Sequence, residues 1–150
     1  MDHNPVNHPA RPVYRALAAL TGLYLVIFGG LALINGGEFF GQDPGVKVLG
    51  QGINPGGGLV LAVLGLIALA AAVIGRNVDT RVNRALAYLL AAIALASLAV
   101  SHTGANILNV SVVTCIVLMT LSMVLLMAAM YGRVGSDKDV HAWEQSRLFG

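Results

Sequence analysis

Long apolar stretches alternate with short polar breaks along this chain, and four of them approach the ~20 residues that a helix rising ~1.5 Å per residue needs to cross a bilayer. They run from about Tyr14 to Ile34, from Gly56 to Ile74, from Ala85 to Ser101 and from Ile107 to Tyr131. Backbone polar groups in a bilayer must be satisfied within the spanning segment, so each stretch is expected to be a helix. Their richness in alanine and leucine agrees with that choice. The pattern therefore predicts an all-α membrane protein with four transmembrane helices, at about 14–34, 56–74, 85–101 and 107–131. These form one membrane domain over 14–134, flanked by terminal segments 1–13 and 135–150.

The breaks carry their own signals. Pro12 stands at the entry of the first span, where its missing N–H does no harm. Asn54 followed by Pro55 reads as an N-cap and first helical residue for the second span. Asn35, Gly36 and Gly37 end the first span, Gly75 the second, Ser101 to Gly104 the third and Gly132 the fourth. After it, Ser136 and Asp139 stand at capping-box spacing, predicting a short helix in the tail with Val140, Trp143, Leu148 and Phe149 partly toward the membrane.

Composition confirms the class. The chain has 150 residues, of which 57% are hydrophobic and only 11% charged, and its mean hydropathy is +0.77. A soluble domain usually carries about a quarter charged residues. The net charge of +2 does not point to nucleic acid, because the basic residues sit at the ends of apolar stretches. That placement is a topology signal. With the N-terminus, the 75–84 turn and the tail on one side, eight of the nine lysines and arginines share that side and Lys47 alone opposes them. The expectation is a multi-pass protein of the inner (plasma) membrane with both termini cytoplasmic. The N-terminal segment lacks the compact basic start and small-residue cleavage site of a secretory signal, and is expected to be retained.

An internal echo adds organisation. Val13 to Leu20 matches Val82 to Leu89 at six of eight positions, and Ala71 to Arg76 is answered by Ala128 to Arg133. Both halves start on the same side, so the expected relation is a parallel two-plus-two repeat of helical hairpins about an axis along the membrane normal. The turn Gly75 to Arg84 joins the halves. Its Arg76, Arg81 and Arg84 are topology residues and candidates for docking a partner, and Asp79 is expected to pair with one of them.

Candidate chemistry is sparse. No Asp, Glu, Lys, Arg or His lies in the central part of any span, which argues against proton-coupled transport. Depth histidines for haem and paired cysteines for thiol chemistry are absent, so no catalytic residue, cofactor or metal site is expected. Cys115 is the single cysteine. Met119, Met123, Met127 and Met130 share a helical face with it, a soft-ligand set for Cu(I) or, more simply, packing filler. Gly58, Ala62, Gly65, Ala68, Ala72 and Gly75 make a small-residue seam that should let another helix approach closely. Ala92, Ala96 and Ala99 offer the third span a similar face. On the far side, a glycine-rich loop of about twenty residues, 35–54, carries Phe39 and Phe40, and the short 101–106 connection carries His102. These three are weak ligand candidates.

The junction motifs GQGIN at Gly50, GRNVD at Gly75, ANILN at Ala105 and MAAMYGRVG at Met127 together resemble the small four-helix actinobacterial proteins catalogued as domain of unknown function 4383. The resemblance covers about Pro12 to Gly135. It implies a four-span membrane protein and supplies no activity, cofactor or catalytic residue. The leading functional expectation is a non-enzymatic membrane protein, an accessory subunit of a larger complex or a homo-oligomer. The alternative is a binder or carrier of an apolar ligand, a lipid or quinone, between its helices.

Overall fold

A computed structural model describes residues 4–35 and 37–148, with side chains to Arg147. Five helices follow in order: α1 (Arg11–Asn35), α2 (Pro55–Ile74), α3 (Val78–Val100), α4 (Val112–Tyr131) and α5 (Asp137–Leu148). Helices α1 to α4 are each long and apolar enough to span a bilayer, with best windows of mean hydropathy from 1.7 to 2.7. The protein is an all-α, multi-pass membrane protein. Packing is most extensive between α1 and α2 and between α3 and α4, and the smaller α1–α4 and α2–α3 contacts close a ring of four.

The bundle is filled by Leu25 and Phe28 of α1, Leu61 and Ala68 of α2, Leu90 of α3, and Leu118 and Leu125 of α4, all buried. Equally apolar residues cover the outside, among them Ile27, Leu66, Val73, Leu95 and Met123. An exposed surface of this kind is suited to lipid rather than water. One hydrogen bond crosses between spans at depth, from Ser122 Oγ to the Ala87 carbonyl at 2.7 Å.

Three helix boundaries differ from the sequence expectation. α1 begins at Arg11 rather than Tyr14, and α3 at Val78 rather than Ala85. The polar residues there continue the helix instead of marking its edge, because Asp79, Thr80 and Asn83 turn inward while Arg81 and Arg84 turn out. α4 begins at Val112 rather than Ile107. Asn109 takes a left-handed φ of 50°, and the Asn106 side chain bonds both the N–H and the carbonyl of Val110. Such side-chain bonds compete with helix. Ser111 then caps α4 by accepting from the Thr114 N–H.

The end carrying both terminal segments and the α2–α3 turn is the terminal end, and the opposite one is the loop end. At the loop end, β1 (Lys47–Val48) and β2 (Gln51–Gly52) form a small antiparallel hairpin in which Val48 pairs with Gln51. Its two turn residues, Leu49 and Gly50, have φ of 51° and 77°. A two-residue loop with both φ positive matches the strands' twist. The predicted tail helix is present as α5, and the Asp139 carboxylate accepts from the N–H and hydroxyl of Ser136. Trp143 of α5 is half-buried and lies under the Arg147 guanidinium, 5.1 Å from the ring centre. The expectation that Leu148 and Phe149 approach the membrane falls outside the described side chains.

Candidate functional site

The small-residue seam of α2 is occupied within the chain. Gly58 and Gly65 meet Gly29 and Gly22 of α1, so that a Cβ on Gly65 would lie 2.6 Å from the Gly22 carbonyl oxygen and one on Gly58 would lie 2.8 Å from that of Gly29. Ala62 and Ala68 line the same contact, against Gly29 and Gly22. Gly75 ends the seam differently: its φ is 64°, and the Arg15 guanidinium lies 3.3 Å from where a Cβ would stand. Arg15 Nε and Nη2 donate to the carbonyls of Ala72 and Val73. A cation thereby satisfies the last carbonyls of α2. The α1 half of this interface is a second signal in the sequence, with Ala18, Gly22, Leu25, Gly29 and Ala32 at alternating spacings of three and four.

The alanine face of α3 has the opposite fate. Ala85, Ala92, Ala96 and Ala99 are all exposed. They leave a smooth stripe on the outside of the bundle.

At the loop end, Asn54 is fully buried and ties three segments together. Its Oδ1 accepts from the Gly57 N–H at 2.9 Å, as an N-cap. Its Nδ2 donates to the Gly41 carbonyl at 3.0 Å and to the Ile107 carbonyl at 2.8 Å. Gly52 bonds Ser111 and Thr114, and Asn109 Nδ2 donates to the Asp43 carbonyl. The two connections therefore form one cap. Phe39 and Phe40 pack edge to face at 4.7 Å and remain 47% and 62% exposed, while His102 is exposed and makes no side-chain hydrogen bond among the described residues. The structure joins their loops without bringing the three side chains into a site. The methionines at 119, 123, 127 and 130 also face outward, whereas Cys115 is buried.

The terminal end holds the densest polar network. Asp79 is 3% exposed and pairs at 3.6 Å with Arg11, not with an arginine of its own turn. Arg11 Nε also donates to the Gly132 carbonyl at 2.8 Å. The pair is shielded at Asp79, which gives that residue a structural role at the start of α3. Gly75, Arg76 and Asn77 have positive φ in succession. The Asn77 side chain leaves its own helix uncapped and instead exchanges two hydrogen bonds with the main chain of Val134, both 2.7 Å.

Beside that contact opens a polar pocket of about 340 Å³ between the start of α3 and the end of α4. Arg81 and Arg84 enter it from α3 and Arg133 from the segment after α4. Among the described residues none of the three pairs with a carboxylate within 4.0 Å. Asp139 also lines it, its carboxyl held below its ordinary value by the Ser136 N–H and hydroxyl and by Arg133. Three cations and one anion leave a net charge of +2. Arg76 is exposed at the same end but stands outside this pocket. Sequence reasoning placed Arg133 only among the topology residues, since nothing in its spacing shows that α4 ends beside Arg81.

The fold and these surfaces define a multi-pass membrane protein built as two helical hairpins. Comparison with protein-family models, curated proteins and solved structures finds no match to this chain. The resemblance carried by the junction motifs gains no support from these comparisons.

Proposed function

We propose that this chain is a non-enzymatic protein of the inner (plasma) membrane that works by lateral association, as an accessory subunit or a homo-oligomer, with both termini cytoplasmic. The observation that carries the reading is the exposed alanine stripe of α3. The α2 seam that first suggested association is consumed by α1, whereas Ala92, Ala96 and Ala99 remain open. Small residues permit the close backbone approach that drives helix association in lipid. Orientation is supported by eight of nine basic residues at the terminal end.

Native gel migration and co-purification in mild detergent test it. Wild type should run as a complex, and the Ala92→Leu/Ala96→Leu double variant should shift toward monomer while still inserting. A monomeric wild type that brings down no partner would overturn the proposal.

A second reading, an apolar ligand, is favoured by an outside groove of about 240 Å³ between α3 and α4, lined by Leu95, Leu98, Cys115, Ile116 and Met119 among others. Large side chains fill the bundle centre, so this reading moves the ligand from between the four helices to their flank.

A further inference from the structure

The apolar groove and the arginine pocket both open at the α3–α4 contact, and helical spacing places their residues on one flank. On α3, Arg81, Arg84, Tyr88, Leu95 and Leu98 fall on one helical flank at spacings of three, four, seven and three. On α4 and just beyond it, Met119, Met123, Met130 and Arg133 do the same. Both sets border the α3–α4 contact from outside, with the arginines at the terminal end and the apolar groove toward the loop end. Between them, Tyr88 is 62% exposed and Met130 51%. The flank thus changes from cationic to aromatic to aliphatic along its length, the sequence of chemistry a phospholipid presents from headgroup to tail.

The arginines and the groove are spaced by one leaflet. Ten residues of α3 separate Arg84 from Ala94 at the groove's near end, about 15 Å at 1.5 Å per residue. That is half of a hydrocarbon core of about 30 Å, so an acyl chain anchored at the arginines ends at the groove's near edge, beside Ala94 and Met123. Arg81, Arg84 and Arg133 have no carboxylate partner within 4.0 Å among the described residues, and Asp139 has its own donors in Ser136.

We propose that the α3–α4 flank holds one anionic phospholipid lengthwise, its phosphate on Arg81, Arg84 and Arg133 and an acyl chain running past Tyr88 to the groove's near edge at Ala94 and Met123. The proposal deepens the apolar-ligand reading and is independent of lateral association through the alanine stripe. Three guanidiniums present planar donor forks to phosphate oxygens, and such forks hold phosphate more selectively than dispersed lysines. A zwitterionic lipid would bring its own cation against the same arginines, so the site discriminates by headgroup charge.

The test is native mass spectrometry of the full chain in mild detergent, titrated with dioleoyl phosphatidylglycerol, dioleoyl phosphatidylcholine or inorganic phosphate. Phosphatidylglycerol should be retained about tenfold or more over phosphatidylcholine. Arg84→Gln/Arg133→Gln should abolish that preference, Arg76→Gln should preserve it, and Thr120→Trp, which fills the groove, should lower retention of both lipids. Equal retention of the two lipids by wild type, or an unchanged preference in the double arginine variant, would overturn the proposal while leaving a groove for neutral lipid. Thr120→Trp without effect would overturn the groove reading and the lengthwise placement with it. Displacement of phosphatidylglycerol by millimolar inorganic phosphate would mark a free-anion site and overturn the lipid assignment. Circular dichroism of each variant should match wild type.

Discussion

Gly22 of α1 and Gly65 of α2 face each other main chain to main chain: a Cβ on either would stand within 2.9 Å of the other's carbonyl oxygen. Neither helix can yield there, because the obstructing atoms are backbone. Gly65→Ala should destabilise the bundle by about 1 to 3 kcal/mol through overpacking. Gly30, with nothing within 4 Å of its would-be Cβ, provides the control. Thermal unfolding in detergent should show a clear fall for Gly65→Ala and little change or a small gain for Gly30→Ala, because alanine is the better helix former.

Asn54 concentrates the loop-end cap in one side chain. Asn54→Ala would remove the N-cap of α2, worth about 0.5 to 2 kcal/mol, and leave the carbonyls of Gly41 and Ile107 without that donor. Limited proteolysis from the loop side should therefore cut near both connections in the variant and neither in wild type. Cleavage at only one would show that the two loops are held independently.

Arg11 and Asp79 form a shielded pair across the terminal end, with side-chain exposures of 24% and 4%. Removing the cation strands a buried carboxylate, which typically costs about 3 to 5 kcal/mol. Arg11→Ala should thus be more damaging than Arg11→Ala/Asp79→Asn, in which no buried charge is left over. A double-mutant cycle by thermal or denaturant unfolding reads the coupling. Strict additivity would mean that the pair contributes nothing.

The first turn of α5 should respond to acid. The Ser136 N–H and hydroxyl, with Arg133, hold Asp139 below the ordinary value of about 3.9. A depressed folded value means the contribution is complete above the unfolded pKa and lost as pH falls through the folded one. Hydrogen exchange in α5 should therefore be flat from pH 7 down to about 4 once corrected for intrinsic rates, then lose protection below it. Asp139→Ala should show weaker protection throughout and a much smaller pH response.

Leu49 is the one branched aliphatic residue with a left-handed φ among those described, at 51°, beside Gly50 at 77°. Its side chain is 61% exposed, so packing returns little for that conformation. An Asn-Gly pair is the preferred occupant of such a turn. Leu49→Asn should raise the thermal midpoint slightly, by the equivalent of about 0.5 to 1 kcal/mol; a fall would show that Leu49 is held by lipid or a partner.

Much of the architecture is legible in the chain itself. The four apolar stretches, the Asn54-Pro55 start, the Gly75 stop and the Ser136–Asp139 cap stand where their local chemistry puts them, because each depends on neighbours close in sequence. The starts of α3 and α4 depend on more distant partners. Polarity at Asp79 and Asn83 looks like the edge of a membrane until Arg11 and the inward helix face are known. Apolarity at Ile107 and Leu108 looks like a span until Asn54 is seen bonding their carbonyls. The arginine pocket is illegible for the same reason: Arg81 and Arg133 are neighbours only after two hairpins close into a ring. Phe39, Phe40 and His102 stay unassigned, since their loops meet and their side chains do not.

The asparagine amides at the terminal end have one further effect. Asn77 clasps Val134, and Asn7 clasps the neighbouring residues, with its N–H on the Arg133 carbonyl at 2.9 Å and its side chain exchanging bonds with Gly135 at 2.8 and 3.1 Å. Residues 133–135 are gripped like the middle strand of a miniature sheet whose outer strands are side chains. The segment that leads into α5 is therefore tied at once to the stretch before α1 and to the turn before α3, so the two ends of the chain and the middle turn meet in one knot of hydrogen bonds to the main chain.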